Sequence, residues 1–471
     1  MTRTVAPDAE AEPTLFVLYG ATGDLCKRMV LPAFFQLWQQ GLMPKEWRLI
    51  GNGRGEVTDD AFRKHFHDAL VEFGPKPKPK EWASFKQKLF FAGGGFNTKD
   101  PGSLPKVMAE QRKGMGTRSQ LIHYFAVPPN AFIELTRALK THGLAKGTRV
   151  IYEKPYGTSP SGFVELDSAV HEVLSEDQVF RIDHFLGKEG AQDLYLARLT
   201  NRMLSAVWSR KHIRAVQVDV PETLDVKDRA DFYDHTGATL DMLVSHLFQI
   251  VADLAMEPPK SLQAKDVQRA RSNAMRAFRT LDPHEVVLGQ FTGYRVEKGI
   301  KRTSKTDTFV AARLWIDNSR WKGVPFLLRT GKMMAISKQQ VTLLLRDVEG
   351  PFGKSVKGAS SITFSLSGSG ELDFSLALKQ PGPGLVLEKA TASIPLEQLP
   401  KAHPLPPYVR LIHDVMLGDR SLFTDLNGLK EVWRVAGKLL EHPPKVIPYA
   451  PKTFGPKQAD ALAAPDGWKL G

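Results

Sequence analysis

The sequence predicts an α/β Rossmann-type N-terminal domain followed by a C-terminal α+β domain built on a large, mostly antiparallel sheet. Two patterns and one length carry that prediction. In the first half, short runs of β-forming residues end at glycine or proline turns and alternate with helical stretches, which is how a doubly wound parallel sheet reads. Past about residue 187, strand-like runs follow one another over short links, as in an antiparallel sheet with flanking helices. The 471 residues suffice for two or three domains with substantial cores. The expected divisions are a disordered polar tail over 1–12, a first domain over 13–186 and a second over 187–471.

TLFVLYG (Thr14 to Gly20) is a short apolar run ending at a glycine, as a buried parallel strand does. In the following ATGDLCKRMVLPAFFQLWQQG, Leu31, Phe34, Phe35 and Trp38 recur at helical spacing and Gly41 closes the helix. WRLIGNGRG (Trp47 to Gly55) is the next strand, completing a βαβ unit. KPKPK at Lys76 to Lys80 reads as a stiff exposed loop. LIHYFAVPP and RVIYEKPYG are later strands around the helical AFIELTRALKTHG. In the second half, IRAVQVDV, VAARLWI and QQVTLLLR read as strands, and SSITFSLSGSGELDFSLAL as a hairpin through Gly368 to Gly370. KQPGPG is a loop. TGATLDMLVSHLFQIVADLAM (Thr236 to Met256) predicts one long helix, with Leu240, Leu243, Val244, Leu247, Phe248 and Val251 on its buried face. His246 falls on the other stripe with Met242, Gln249 and Asp253. Asp241, five positions before it, stands well apart in angle on an ideal α-helix.

Hydrophobic residues make up 42% and charged residues 24%, ordinary for a globular protein. Lys and Arg number 64 against 51 Asp and Glu, a formal net charge of +13. That excess suits polyanions and small phosphorylated ligands. No basic run with interleaved aromatics is present, so a nucleic-acid partner is not expected. Cys26 is the single cysteine, which rules out an intrachain disulfide and a thiolate metal cage. The N-terminal stretch lacks an apolar core of signal-peptide length, and no uninterrupted apolar run is long enough to cross a bilayer. The expectation is a soluble, cytoplasmic protein without a membrane partner.

The turn Gly20-Ala-Thr-Gly23-Asp24 shares the logic of the dinucleotide fingerprint without its full spacing. Its glycines let the chain bend and let a pyrophosphate approach a helix N-terminus, with Lys27 and Arg28 one turn later. A plain tight turn is the competing reading. At the end of the second strand, an NAD site usually carries an acid for the ribose 2′-hydroxyl. Here Arg54 stands in that neighbourhood, so NADP is favoured through a paired 2′-phosphate. Arg54 as a plain loop residue, or Glu56 taking the hydroxyl and leaving NAD use open, is the alternative. Lys154 ends a strand at the edge where ligands bind in such sheets. RIDHFLGKEG (Arg181 to Gly190) is either a solvated face or an anion site, with Asp183, His184 and Lys188 placed to hold a phosphate and orient a base.

GATGDLCKR after a strand, YEKPYG, RIDHFLGKE, the DMLVSH helix and VPFLLRTGK occur in that order. Together they resemble the glucose-6-phosphate dehydrogenase family. The resemblance implies NADP-dependent oxidation of glucose 6-phosphate at C1 to 6-phosphogluconolactone, the first step of the oxidative pentose phosphate pathway. It implies that Gly20, Gly23, Asp24, Lys27 and Arg54 bind the cofactor, with Lys154 between cofactor and sugar. His184 and Lys188 would hold the substrate phosphate, and Glu222, Asp241 and Lys332 the sugar. His246 would accept the C1 proton, and Asp183 would orient it. No metal is implied. A cis peptide before Pro155 is implied, as is pairing into a dimer or a dimer of dimers through the second domain. Two positions depart from the family pattern. Phe185 stands where a tyrosine hydroxyl usually meets the phosphate, and Ser337 where a Lys or Arg is usual, with Lys338 one step on. Each lost contact to a charged group costs about 1.5–3 kcal/mol, so KM for the phosphosugar is expected to rise roughly ten- to a hundredfold. A paralogue acting on a different or non-phosphorylated sugar, and a nucleotide-binding sensor without turnover, are the other readings. The presence of His246, Asp183, Lys154 and Lys188 argues against the sensor.

Overall fold

A computed structural model describes residues 11–115, 119–350 and 360–470, with Val356 and Gly358. All but the last two residues of the expected tail lie outside the described residues. Packing divides the chain into two units. The first holds the chain up to Gly187 together with Lys260–Gln268 and Pro406–Leu426. The second holds Lys188–Pro259, Arg269–Leu405 and the chain from Asn427 onward.

The first unit is built on six parallel strands: β1 (Thr14–Tyr19), β2 (Trp47–Asn52), β3 (Leu89–Ala92), β4 (Gln120–Phe125), β5 (Thr148–Tyr152) and β6 (Val179–Arg181). Their order is β3-β2-β1-β4-β5-β6, the Rossmann arrangement in which strand order reverses beside β1. All six residues of β1 are buried, which explains the unbroken apolar run TLFVLY. The helix after β1 begins with a π segment, Cys26–Val30, before the α-helix Leu31–Gln39. Leu31, Phe34 and Phe35 are fully buried, as their spacing predicts. KPKPK is irregular only as far as Lys78, because Pro79 starts the helix Pro79–Phe85, a position that suits its fixed φ and missing N–H.

Distant segments complete this unit. Arg149 donates to the carbonyls of Val415 and Met416 at 2.7 and 2.8 Å. At the centre of the sheet, His123 is fully buried against the Tyr19 hydroxyl at 3.0 Å. Burial pulls its pKa from 6.5 to about 3, so the imidazole is neutral in the fold. Between those two values the unfolded chain binds the additional proton, so this group's stabilisation is complete above about pH 6.5 and is lost as pH falls toward 3. Thermal melts of wild type and His123→Gln should therefore differ most near pH 7 and converge toward pH 4. A constant difference would exclude the titration of His123 as the cause.

The second unit carries nine strands: β7 (Ile213–Pro221), β8 (Val286–Phe291), β9 (Phe309–Leu314), β10 (Phe326–Gly331), β11 (Gln340–Leu345), β12 (Ser361–Ser365), β13 (Glu371–Lys379), β14 (Leu387–Pro395) and β15 (Val446–Tyr449). Their order is β14-β13-β12-β11-β7-β10-β9-β8-β15. Six of the eight neighbouring pairs are antiparallel, and β7–β10 and β8–β15 are parallel. The expected hairpin is β12–β13.

The single α-helix expected over Thr236 to Met256 is not what forms. A helix ends in a kink at Gly237, where φ is 61°, a π-helix spans Thr239–Leu247, and an α-helix resumes over Phe248–Ala255. The stripe carrying Met242, His246, Gln249 and Asp253 is buried as well as the apolar one. Among the described residues, Phe232–Ala255 is the one helical segment long and apolar enough to span a membrane. Of its most apolar stretch, 83% is buried inside the protein, which marks a core helix.

Candidate active site

The first unit gathers its candidates at the C-terminal edge of the parallel sheet. Gly20 has a φ of 72°, and a Cβ there would stand 2.5 Å from the Ala126 carbonyl oxygen, so only glycine makes this bend. The N–H groups of Gly20 and Ala21 donate to the Asn52 carbonyl at 2.9 and 3.2 Å. The Asn52 amide in turn donates to the carbonyls of Ala92 and Gly95, so the ends of β1, β2 and β3 are stitched together. A Cβ on Gly23 would meet only the Gly20 carbonyl oxygen, at 3.0 Å, and nothing else within 4 Å. Helical backbone starts at Asp24. An open glycine backbone leading into a helix N-terminus fits the pyrophosphate of a dinucleotide.

The neighbouring charges are engaged at the surface. Lys27 pairs with Glu72 at 2.6 Å and Arg28 with Asp24 at 2.7 Å, and both cations lie over the Phe73 ring. Arg54 is exposed on the turn after β2. A Cβ on the preceding Gly53 would lie 3.9 Å from the Thr22 hydroxyl, which places this segment beside the glycine turn. Cys26 is fully buried and burial pushes its thiol pKa up, so it serves packing.

Beyond β5, the Glu153 carboxylate is buried and accepts the Tyr124 hydroxyl at 2.7 Å. Burial pushes its pKa up. Lys154 follows, half-buried, and its bond to Pro155 is cis. Beyond β6, the charges of RIDHFLGKEG do not form a solvated face. Arg181 is only 3% exposed and binds both oxygens of Glu176, at 2.8 and 2.9 Å, while its guanidinium stacks 4.5 Å from the Tyr156 ring. This arginine is structural. The buried Asp183 accepts the Phe185 N–H at 2.9 Å, which fixes its carboxylate in a local turn. Phe185 is buried and sets its ring edgewise to half-buried His184, with centroids 5.0 Å apart.

In the second unit, Glu222 and Lys332 are brought together by register. The parallel pair β7–β10 aligns Pro221 with Gly331, so the next residue of each strand leaves the same edge. Lys332 Nζ donates to Glu222 Oε2 at 2.5 Å, with side chains 13% and 20% exposed. Ser337 Oγ accepts the Thr223 N–H at 2.9 Å, so this serine pins the loop carrying Glu222. Lys188 stands at the residue before the helix Glu189–Thr200, and its ammonium reaches the Leu366 carbonyl at 3.2 Å.

Asp241 and His246 share the π-helix, and His246 is fully buried. The π register revises the α-helical expectation that residues five apart diverge in angle. Backbone bonding here runs over five residues, as from the Phe248 N–H to the Leu243 carbonyl, so residues five apart lie on adjacent turns. Asp307 was not legible in the sequence. Its carboxylate accepts the N–H and hydroxyl of Thr239 at 2.8 Å each, holding the start of the π segment. Gly237 makes room for it, since a Cβ there would stand 2.5 Å from Asp307 Oδ1. Sixty-eight residues separate Thr239 from Asp307, and no local pattern announces such a pairing.

Comparison with known proteins addresses the whole chain. Residues 17–193 match the domain described as the glucose-6-phosphate dehydrogenase NAD binding domain, which supports a nicotinamide cofactor. Residues 195–470 match the C-terminal domain of the same family. Glucose-6-phosphate 1-dehydrogenase 6, cytoplasmic, of Arabidopsis thaliana is 30% identical over 96% of this chain and 91% of its own length. Glucose-6-phosphate 1-dehydrogenase of Leuconostoc mesenteroides is 31% identical over 96% of this chain and 97% of its own. A chloroplastic relative from Solanum tuberosum is 31% identical over 94% of this chain and 81% of its own length. A solved structure of glucose-6-phosphate dehydrogenase in complex with its substrate glucose-6-phosphate superposes with a TM-score of 0.88 at 28% identity, covering 98% of this chain and 99% of that one. With both domains matched in order and relatives aligned over nearly their full lengths, the chain belongs to the glucose-6-phosphate dehydrogenase family.

Proposed function

We propose that this protein oxidises D-glucose 6-phosphate at C1 to 6-phosphogluconolactone with NADP, the entry reaction of the oxidative pentose phosphate pathway, in the cytoplasm. The observation that carries the reading is the Glu222–Lys332 pair, raised on one edge of two parallel strands in a chain of this family. A carboxylate and an ammonium side by side offer an acceptor and a donor to a polyol.

When bound, the nicotinamide accepts the hydride leaving C1. The chain's own residues do the rest. The glycine backbone at Gly20 and Gly23 receives the pyrophosphate before the helix at Asp24, with Lys27 released from its surface pair to approach it. Lys154 serves both cofactor and sugar, and His184 and Lys188 hold the phosphate. Glu222, Asp241 and Lys332 bind sugar hydroxyls. His246 takes the proton from the C1 hydroxyl, and Asp183 stabilises the charge it gains. An imidazole suits this step because one ring nitrogen can accept a proton while the other keeps a hydrogen bond. Phe185 and Ser337 remove polar groups from the substrate end, which favours a raised KM with the chemistry retained. Exposed Leu376, Leu378 and Ile394 on the outer hairpin β13–β14 support a homo-oligomer that covers this sheet edge.

Following absorbance at 340 nm with NADP or NAD and a panel of phosphorylated and free sugars tests the reading. Glucose 6-phosphate with NADP should be the preferred pair. Arg54→Ala should raise KM for NADP by roughly tenfold or more, the value of a lost contact to a charged group, and leave KM for NAD nearly unchanged. Equal effects on both cofactors would remove Arg54 from the 2′-phosphate. A low-micromolar KM for glucose 6-phosphate would count against the part given to Phe185 and Ser337.

A further inference from the structure

The sugar end of the second unit holds a hydroxyl that the family resemblance did not assign. Tyr233 is 4% exposed, and its hydroxyl makes no hydrogen bond among the described residues. Two tyrosines of the same core cluster are satisfied. Tyr294 donates to Asp234 at 2.9 Å, and Tyr449 donates to the Lys332 carbonyl at 2.6 Å. A buried polar group without a partner costs about 1–3 kcal/mol and calls for an explanation such as a ligand.

The surroundings indicate which ligand. The Lys332 ammonium lies 5.7 Å from the Tyr233 ring centroid, and that ammonium also holds Glu222 at 2.5 Å. Burial first, then the charges of Asp241, Asp307, Tyr449 and Glu222, push the Tyr233 pKa well above its ordinary value. The hydroxyl therefore stays protonated and available to donate. A carboxylate accepts at both of its oxygens, so Glu222, bonded to Lys332 through Oε2, still offers an acceptor to a polyol. A sugar hydroxyl suits such a place because it donates one hydrogen bond and accepts others.

We propose that Tyr233 is a specificity-determining residue whose hydroxyl donates to a ring hydroxyl of the sugar, which in turn donates to Glu222 or Asp241. The inference rests on the sugar-oxidising function proposed above and deepens it at the end opposite the phosphate. It gives the enzyme a polar contact that neither Phe185 nor Ser337 supplies.

Tyr233→Phe removes only the hydroxyl. KM for glucose 6-phosphate should rise about three- to tenfold, the value of a neutral hydrogen bond, with kcat within about twofold, as for loss of uniform binding. The melting temperature should hold or rise, because the variant removes a donor the fold does not use. Deoxyglucose 6-phosphates, each lacking one ring hydroxyl, locate the partner. For one of them, wild type and Tyr233→Phe should give the same KM, because the contact is absent from both. An unchanged KM for glucose 6-phosphate overturns the proposal. An unchanged KM with a lowered melting temperature does so with a reason, since the hydroxyl then serves the fold through buried water. Calorimetric titration of the wild type separates the two levels. If the wild type neither binds nor oxidises glucose 6-phosphate, the proposed function fails and this inference with it. If the wild type does both and the variant matches it, only the role of Tyr233 falls.

Discussion

Replacing His246 by Asn should lower kcat roughly 10²- to 10⁴-fold, the range for loss of a general base, with KM for glucose 6-phosphate changed far less. The amide keeps much of the ring's size and polarity but cannot accept a proton near neutral pH. His246 is fully buried within Thr239–Leu247, so the measurement needs a control for folding. A melting temperature within a few degrees of wild type provides it. A fall in kcat of less than tenfold would move the base elsewhere.

The second large effect is on stability. Asp219 and Arg329 face each other across β7 and β10, with exposures of 1% and 0%. Arg329 donates from Nε to one Asp219 oxygen at 2.9 Å and from Nη2 to the other at 2.5 Å, and again from Nη2 to the Leu470 carbonyl. The Trp468 ring stacks 4.3 Å from the guanidinium. Asp219→Ala leaves that cation buried without its counter-ion, which costs about 3–5 kcal/mol. The thermal midpoint should fall by roughly 5–10 °C. Pairing Asp219→Leu with Arg329→Met should recover most of the loss, because a well-packed apolar pair is often as stable as a buried ion pair. If the double variant is no better than Asp219→Ala, the geometry at this point, and not the isolated charge, sets the stability.

Legibility in the sequence followed burial and distance. β1, β2, β4 and β5 are visible because strands buried on both faces are near-continuous apolar runs that stop at turns. β3 is only LFFA, four residues directly after KQK, too short for any period to show. In the second unit, β14 reads LEKATASIP because most of its residues are exposed, so neither an apolar run nor a clean alternation marks it. β15 is four residues long and contains a proline, on an edge where that is tolerated. The apolar stripe around His246 indicated a helix, but an apolar stripe cannot count the extra residue of a π turn. The Glu222–Lys332 pair follows from the β7–β10 register, a contact between residues 110 apart. Arg181 opens the charge-rich motif RIDHFLGKEG without being one of its candidates, and its partners are Glu176 and an aromatic ring.

The segmental make-up of the first unit sets a timetable for biosynthesis. A ribosome finishes all six of its strands by Arg181, yet the unit still lacks Lys260–Gln268 and Pro406–Leu426. Until the later segment emerges, Arg149 has no Val415 or Met416 carbonyl to bind, and Glu176 has no Arg420, its ion-pair partner at 2.9 Å. At about 5–20 residues per second, the nascent Rossmann sheet waits on the order of ten seconds or more for its own missing piece. A gene fragment cut near residue 187 would encode the six strands without these two later segments.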